Sequence, residues 1–186
     1  MILYINGCVR EDSRTQRIAE AFLAGQGEPY TELVLSEMGL EPLSAIRLKK
    51  RTALIEKGKL GDPEFSLARQ FAGADRIVIS APYWDLSFPS YVKLYIENIY
   101  ITGIVSRYDE NGMPVGLCRA RDLTYITTAG GPYIEDYSFG YLKDLAENFF
   151  GIRKTRLIKA EMLDVIGFDA AKIVEDTIAG IKRGEY

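Results

Sequence analysis

The chain has no histidine, two cysteines and one tryptophan among its 186 residues. Without histidine it cannot build a Ser-His-Asp or Cys-His centre, nor a zinc site that needs imidazole. Cys8 and Cys118 lie far apart, with no Cys-x-x-Cys spacing and no disulfide framework. A four-cysteine metal centre is therefore excluded, no metal site is expected, and each thiol reads as a small apolar residue of a reduced, cytoplasmic chain. Long hydrophobic runs are also missing, so no bilayer-spanning segment is expected, and the first apolar run, Met1-Ile2-Leu3-Tyr4-Ile5, reads as structure rather than as a signal peptide. An excess of one charge is absent too: 23 basic and 26 acidic side chains give a net charge of -3. That balance offers no electrostatic footprint for nucleic acid or an anionic membrane surface. The 47% hydrophobic content is enough for a single domain with one well-buried core. An enzyme built on this chain would take its difficult chemistry from a cofactor.

Short runs rich in β-formers alternate with amphipathic stretches. Strands are expected at Ile2–Ile5, Glu32–Leu35, Arg76–Ala81, Asp122–Thr127 and Arg156–Ala160. The third and fourth are nearly continuous in apolar and β-branched residues, as strands covered on both faces must be. Helical spacing marks about Arg14–Leu23, then Ser44–Ala72 with a break near Gly58–Pro63. Further helices are expected after Pro89 through Ile99, over Phe139–Phe150 with Gly151 as a left-handed cap, and from the N-cap Asp169 to Arg183. Strand and helix alternating about five times predict an α/β fold, a doubly wound parallel sheet with helices on both faces. The segment 102–121 breaks the alternation, and Asp109-Glu110-Asn111-Gly112 within it predicts a hairpin-like excursion lying over a site.

In an open parallel sheet, ligands bind beyond the carboxyl ends of the strands, where strand order reverses. Three loops at that edge have unusual composition. The first, Asn6 to Thr15, runs straight into a helix. Arg10, Ser13, Arg14 and Thr15 there can meet an anion with charge, hydroxyls and free helix N–H groups, although neither a nucleotide-triphosphate loop nor a dinucleotide glycine fingerprint is present. A helix merely capped by Ser13 explains the same residues equally well. The second loop, Ala81-Pro82-Tyr83-Trp84-Asp85-Leu86-Ser87-Phe88-Pro89, concentrates aromatics between prolines and could hold a flat heterocycle; core filling at a helix start is the plain alternative. In the third, Thr127-Thr128-Ala129-Gly130-Gly131, the paired glycines permit positive φ and close approach to a ligand, as a simple turn also would.

These residues resemble the flavodoxin-2 family of FMN-dependent NADH-azoreductases and NAD(P)H:quinone oxidoreductases. Pro82-Tyr83-Trp84-Asp85-Leu86 is similar to the family's Pro-Met-Tyr-Asn-Phe segment, Arg107-Tyr108-Asp109-Glu110-Asn111-Gly112 to its Arg-Tyr-Thr-Glu-Asn-Gly excursion, and Thr128-Ala129-Gly130-Gly131 to its Ser-Arg-Gly-Gly loop. The resemblance implies a five-stranded flavodoxin-like sheet of order 2-1-3-4-5 that binds FMN, with NADH or NADPH as co-substrate. It implies that Arg10, Ser13, Arg14 and Thr15 serve the phosphate, that Pro82, Tyr83, Trp84, Asp85 and Leu86 line the isoalloxazine and ribityl side, and that Thr128, Gly130 and Gly131 approach the pyrimidine end. It further implies a homodimer, with Tyr108 on the excursion covering the active site, and a ping-pong transfer of hydride to a quinone or azo compound.

Tyr108 and Tyr133 are the candidates for closing over the substrate, simple packing explaining either equally well, and protons can come from water or a tyrosine hydroxyl. The chain departs from the family at Asp85, where an ionised acid replaces an amide and should lower the flavin's reduction potential. Two other readings remain at this point. One is a single-electron carrier, against which stand the modest charge and the arginines of the first loop. The other is a flavin-free binding or regulatory protein on the same fold.

Overall fold

The computed structural model describes residues 1–186. The chain begins with β1 (Ile2–Asn6), α1 (Arg14–Ala24), β2 (Tyr30–Val34), α2 (Ala45–Glu56), α3 (Ser66–Gly73) and β3 (Arg76–Ser80). It continues through α4 (Ser90–Ile99), the short strands β4 (Ser106–Tyr108) and β5 (Pro114–Gly116), β6 (Leu123–Thr128), a helical segment centred on α5 (Tyr141–Leu145), β7 (Thr155–Ala160) and α6 (Ala170–Arg183). Five strands pair in parallel in the order β2-β1-β3-β6-β7. With the small hairpin set aside, this is the expected 2-1-3-4-5 order of the flavodoxin-like sheet, and strand order reverses between β1 and β3.

Helices cover both faces, which is why β1, β3 and β6 are buried along their whole length. On one face Ile2, Tyr4, Val78, Ile126 and Ile158 pack against α1 and α6. On the other, Leu3, Ile5, Ile77, Ile79 and Tyr125 pack against α3, α4 and the segment ending at Phe150. The edge strand β2 starts two residues earlier than its apolar run suggests. Its register with β1, Ile2 opposite Tyr30, is set by backbone pairing on a partly exposed edge rather than by buried side chains.

The expected break between the second and third helices is real. Asp62 accepts from the Glu64 N–H, Pro63 opens a short 3₁₀ turn, and α3 follows. Ser44 and Asp169 cap α2 and α6 by accepting from Arg47 N and Lys172 N. The segment expected from Phe139 begins at Asp136 instead. It contains two π-turns, Asp136–Gly140 and Ala146–Phe150, around α5, and ends as expected on Gly151 with φ 79°. Six-residue turns carry no mark in a 3.6-residue periodicity, so the extra turn was not readable.

The excursion is an antiparallel hairpin of β4 and β5. Asp109 Oδ1 accepts from Asn111 N and Met113 N at 2.9 and 2.8 Å, closing its turn. The base of the hairpin sits on the last helical turn before β7: a Cβ added to Gly116 would lie 2.1 Å from Gly151 N. No helix is long and apolar enough to cross a membrane.

Candidate functional site

Four loops meet at the carboxyl edge of the sheet. The first leaves β1 through Asn6, whose side-chain oxygen accepts from Cys8 N at 2.9 Å, and Gly7 N donates to Ser80 O at 2.7 Å, tying the start of the loop to β3. Ser13 then caps α1, accepting from Gln16 N at 3.2 Å. The capping reading is thus correct as far as it goes, and Arg10 remains exposed beside the free N–H groups of the first turn. Thr15 points inward. Its hydroxyl lies 2.6 Å from that of Thr128 at the end of β6, a buried bond that ties the start of α1 to the third loop.

The second loop reverses sharply. Trp84 and Ser87 exchange both backbone hydrogen bonds, at 3.0 and 2.8 Å, and the two residues between them, Asp85 and Leu86, have φ 51° and 67°. Positive φ at both central positions is the signature of a type I′ turn. Aspartate tolerates this region because its short side chain can hydrogen-bond locally, whereas leucine adopts it at a cost of about 1 kcal/mol or more. Asp85 therefore satisfies a backbone requirement as well as carrying a charge.

The third loop corrects an expectation. Neither Gly130 nor Gly131 has positive φ. The loop stays paired with the chain after β7: Gly131 O, Ala129 O and Gly130 O accept from Met162, Leu163 and Asp164 N–H groups at 3.2, 3.2 and 2.9 Å. Across this pairing it is Met162 that takes the left-handed conformation, with φ 68°. Gly130 nevertheless allows a close approach: a Cβ there would lie 2.5 Å from Asp164 Oδ2, and the carboxylate would have to swing aside. The group that approaches is the chain's own carboxylate.

Together these loops enclose a cleft of about 210 Å³. Of the residues singled out from sequence, Arg10, Ser13, Arg14, Thr15, Pro82, Tyr83, Trp84, Thr128 and Gly130 line it. Asp85 and Leu86 form the turn tip beyond the wall, and Gly131 lies just past it. Tyr108 lies on the hairpin, exposed and away from the cleft wall.

Tyr133 stands behind the wall. Its ring meets that of Tyr83 edge-on at 4.8 Å, and its hydroxyl pairs with Ser138 Oγ at 2.7 Å. Its backbone N–H donates to Glu161, and the Lys159 ammonium lies over its ring. Burial pushes the Tyr133 hydroxyl above its ordinary range, while the Lys159 hydrogen bond holds the Glu161 carboxyl below its own.

Val9, Asp12 and Ala129, from the first and third loops, also line the cleft, together with Leu163 and Asp164 from a loop that was not anticipated. Asp164 matters most, since its Oδ1 accepts from Arg14 Nη1 at 2.9 Å. Applying the carboxyl-edge rule to the last strand as well would have pointed to the Glu161–Asp164 loop. Cys8 is buried and Cys118 partly so, and burial pushes Cys8 upward and Cys118 to about 12, so neither is an activated nucleophile.

Comparison with known proteins agrees with this architecture. A family model described as a flavodoxin-like fold matches residues 1–183. The chain is 35% identical to FMN-dependent NADH:quinone oxidoreductase 2 of Clostridium acetobutylicum, covering 98% of this chain and 96% of that protein. It is 34% identical to the FMN-dependent NADH:quinone oxidoreductase of Coprothermobacter proteolyticus, covering 95% and 94%. Among solved structures, an azoreductase from Bacillus anthracis superposes with a TM-score of 0.84 at 22% identity, over 98% of this chain and 97% of that one. An FMN-dependent NADH-azoreductase from the same species, in complex with FMN, gives 0.81 at 23% identity, over 98% and 96%. At these identities the structural likeness speaks for the fold.

Proposed function

The chain belongs to this flavodoxin-like family, and we propose that it works as an FMN-dependent NADH:quinone oxidoreductase. The observation that carries the reading is the cleft itself: a helix N-terminus with two arginines, an aromatic loop and the end of β6 converge at the switch between β1 and β3. The curated relatives, similar over nearly the whole chain, carry that activity in their names.

The residues present fit the cofactor in parts. Arg10, Arg14, the Ser13 hydroxyl and the first-turn N–H groups of α1, that of Thr15 among them, would hold the phosphate, while the Thr15 hydroxyl is engaged by Thr128. Pro82, Tyr83, Trp84 and Thr128 would flank the ribityl chain and one side of the ring, with Gly130 beside the pyrimidine end and Gly131, Asp85 and Leu86 just outside. A volume of about 210 Å³ is below the usual range for a drug-sized ligand, so the cleft suits the phosphate and ribityl portions and the ring would need room beyond it. Trp84, Leu86, Ile134 and Tyr137 are exposed there, and a second copy of this chain would complete the site, with Tyr108 and Met113 of the hairpin as covering residues.

When bound, FMN would supply the hydride-transfer chemistry that links NADH to a quinone or azo acceptor in a ping-pong cycle. The protein orients the reactants and excludes water, and needs no histidine to do so. Tyr83 is braced from behind by Tyr133, which Glu161 and Lys159 hold in turn. A tyrosine is protonated at neutral pH, and burial raises the Tyr133 pKa further still. Its hydroxyl faces Ser138, so it serves by positioning Tyr83.

The test is a titration of flavin-free protein with FMN. Saturable binding that Arg14→Ala weakens several-fold supports the assignment, and a chain that ignores FMN contradicts it.

A further inference from the structure

The cleft's charged side chains cancel: Arg10 and Arg14 face Asp12 and Asp164. Taking the cleft as the FMN site proposed above, we propose that Asp164 is an internal competitor for Arg14, which weakens the grip on the cofactor's phosphate and keeps FMN exchangeable.

Arg14 already has an anionic partner. Its guanidinium donates to Asp164 Oδ1 at 2.9 Å and, at 3.5 Å, to the carbonyl of Leu163. Asp164 is anchored in the wall through its backbone. Its own backbone N–H donates to Gly130 O at 2.9 Å, and its second oxygen fills the space where a side chain at position 130 would begin, 2.5 Å from the place of a Cβ. A phosphate dianion at the start of α1 must either take Arg14 from this carboxylate or sit beside an uncompensated negative charge. Either course lowers phosphate affinity. A flavin without the phosphate meets neither penalty, so Asp164 acts on the preference for FMN over riboflavin rather than on flavin binding as a whole.

Solvent limits the effect. The Arg14 and Asp164 side chains are 47% and 71% exposed. Exposed pairs of this kind change an equilibrium by roughly two- to five-fold. That is too little to exclude FMN and enough to alter how long it stays.

The experiment compares FMN and riboflavin binding to flavin-free wild type, Asp164→Asn and Asp164→Ser by quenching of flavin fluorescence, with FMN release followed from the loaded chain. The expected result is two- to five-fold tighter FMN binding and slower release in both variants. Riboflavin affinity should stay unchanged, and the gain should shrink at high salt. Unchanged or weaker FMN binding in both variants overturns the inference, because Asp164 would then be orienting Arg14 rather than competing for it. An equal gain for both flavins also overturns it, since that reports a rearranged loop. Wild type that binds no FMN refutes the reading of the cleft itself. Wild type that binds FMN with no change in the variants refutes only the role of Asp164.

Discussion

Replacing Thr15 by valine removes one hydroxyl at the point where the phosphate loop is tied to β6. Thr15 is 1% exposed and Thr128 9%, their hydroxyl oxygens are 2.6 Å apart, and water cannot readily replace either partner. Valine keeps nearly the same shape, so the main loss is the hydrogen bond, and the Thr128 hydroxyl is left buried and unpaired. That situation costs about 1–3 kcal/mol. At this chain length a loss near 1.5 kcal/mol lowers Tm by roughly 3–6 °C. Thr128→Val should cost a similar amount, for the same reason in reverse. The double variant removes both hydroxyls and orphans nothing, so it should cost much less than the sum, with a coupling of about 1–2 kcal/mol. Urea unfolding of the flavin-free chain, followed by circular dichroism, measures all four forms without the stabilisation that a bound ligand adds. Strictly additive costs would refute the pairing and, with it, the claim that this bond fixes the start of α1 against the third loop.

Other consequences are equally open to measurement. Gly116→Ala puts a methyl group 2.1 Å from Gly151 N and 2.2 Å from Phe150 C, against backbone that cannot swing away. A loss of about 3 kcal/mol or more in urea unfolding is expected, and a wild-type midpoint would contradict the hairpin's seating. Asp85→Asn is conformationally quiet, because asparagine also tolerates the left-handed region that Asp85 occupies at φ 51°. It should leave stability unchanged and raise the flavin midpoint potential by about 10–20 mV, the two-electron equivalent of roughly 0.5–1 kcal/mol of screened charge interaction. A fall, or no change, in spectroelectrochemical titration would exclude a charge effect. Burial raises both thiols, Cys118 to about 12, so the native chain at pH 8 should resist iodoacetamide over a period in which the urea-unfolded chain takes two labels. Rapid labelling of native Cys8 would contradict its buried position.

Much of the fold was legible because hydrophobic periodicity and end signals agreed. The run Arg76–Ala81 reads as a buried strand and forms one over Arg76–Ser80, Asp169 and Gly151 mark ends that the backbone respects, and Asp109–Gly112 turns where its composition says. The site was legible at the level of loops: three chosen for odd composition converge on one cleft. What escaped depends on long-range pairing. Gly130 lacks positive φ while residues 162–164 pair with its loop, and Asp164 lies close against it, a relation between segments far apart in the chain. Tyr133 reads as a candidate for closing over the substrate, yet Ser138 and Tyr83 hold it as a brace, and Ser138 lies in a π-turn that periodicity does not announce. The left-handed pair Asp85–Leu86 was hidden for another reason, since leucine is a poor signal for positive φ.

The central claim is that FMN in this cleft carries electrons from NADH to a quinone, and anaerobic addition of NADH to the FMN-loaded chain, followed by a benzoquinone, tests it most directly. The account predicts that NADH bleaches the bound flavin far faster than it bleaches free FMN, and that the quinone restores the oxidised spectrum. Flavin that binds but stays oxidised in the presence of NADH would contradict it.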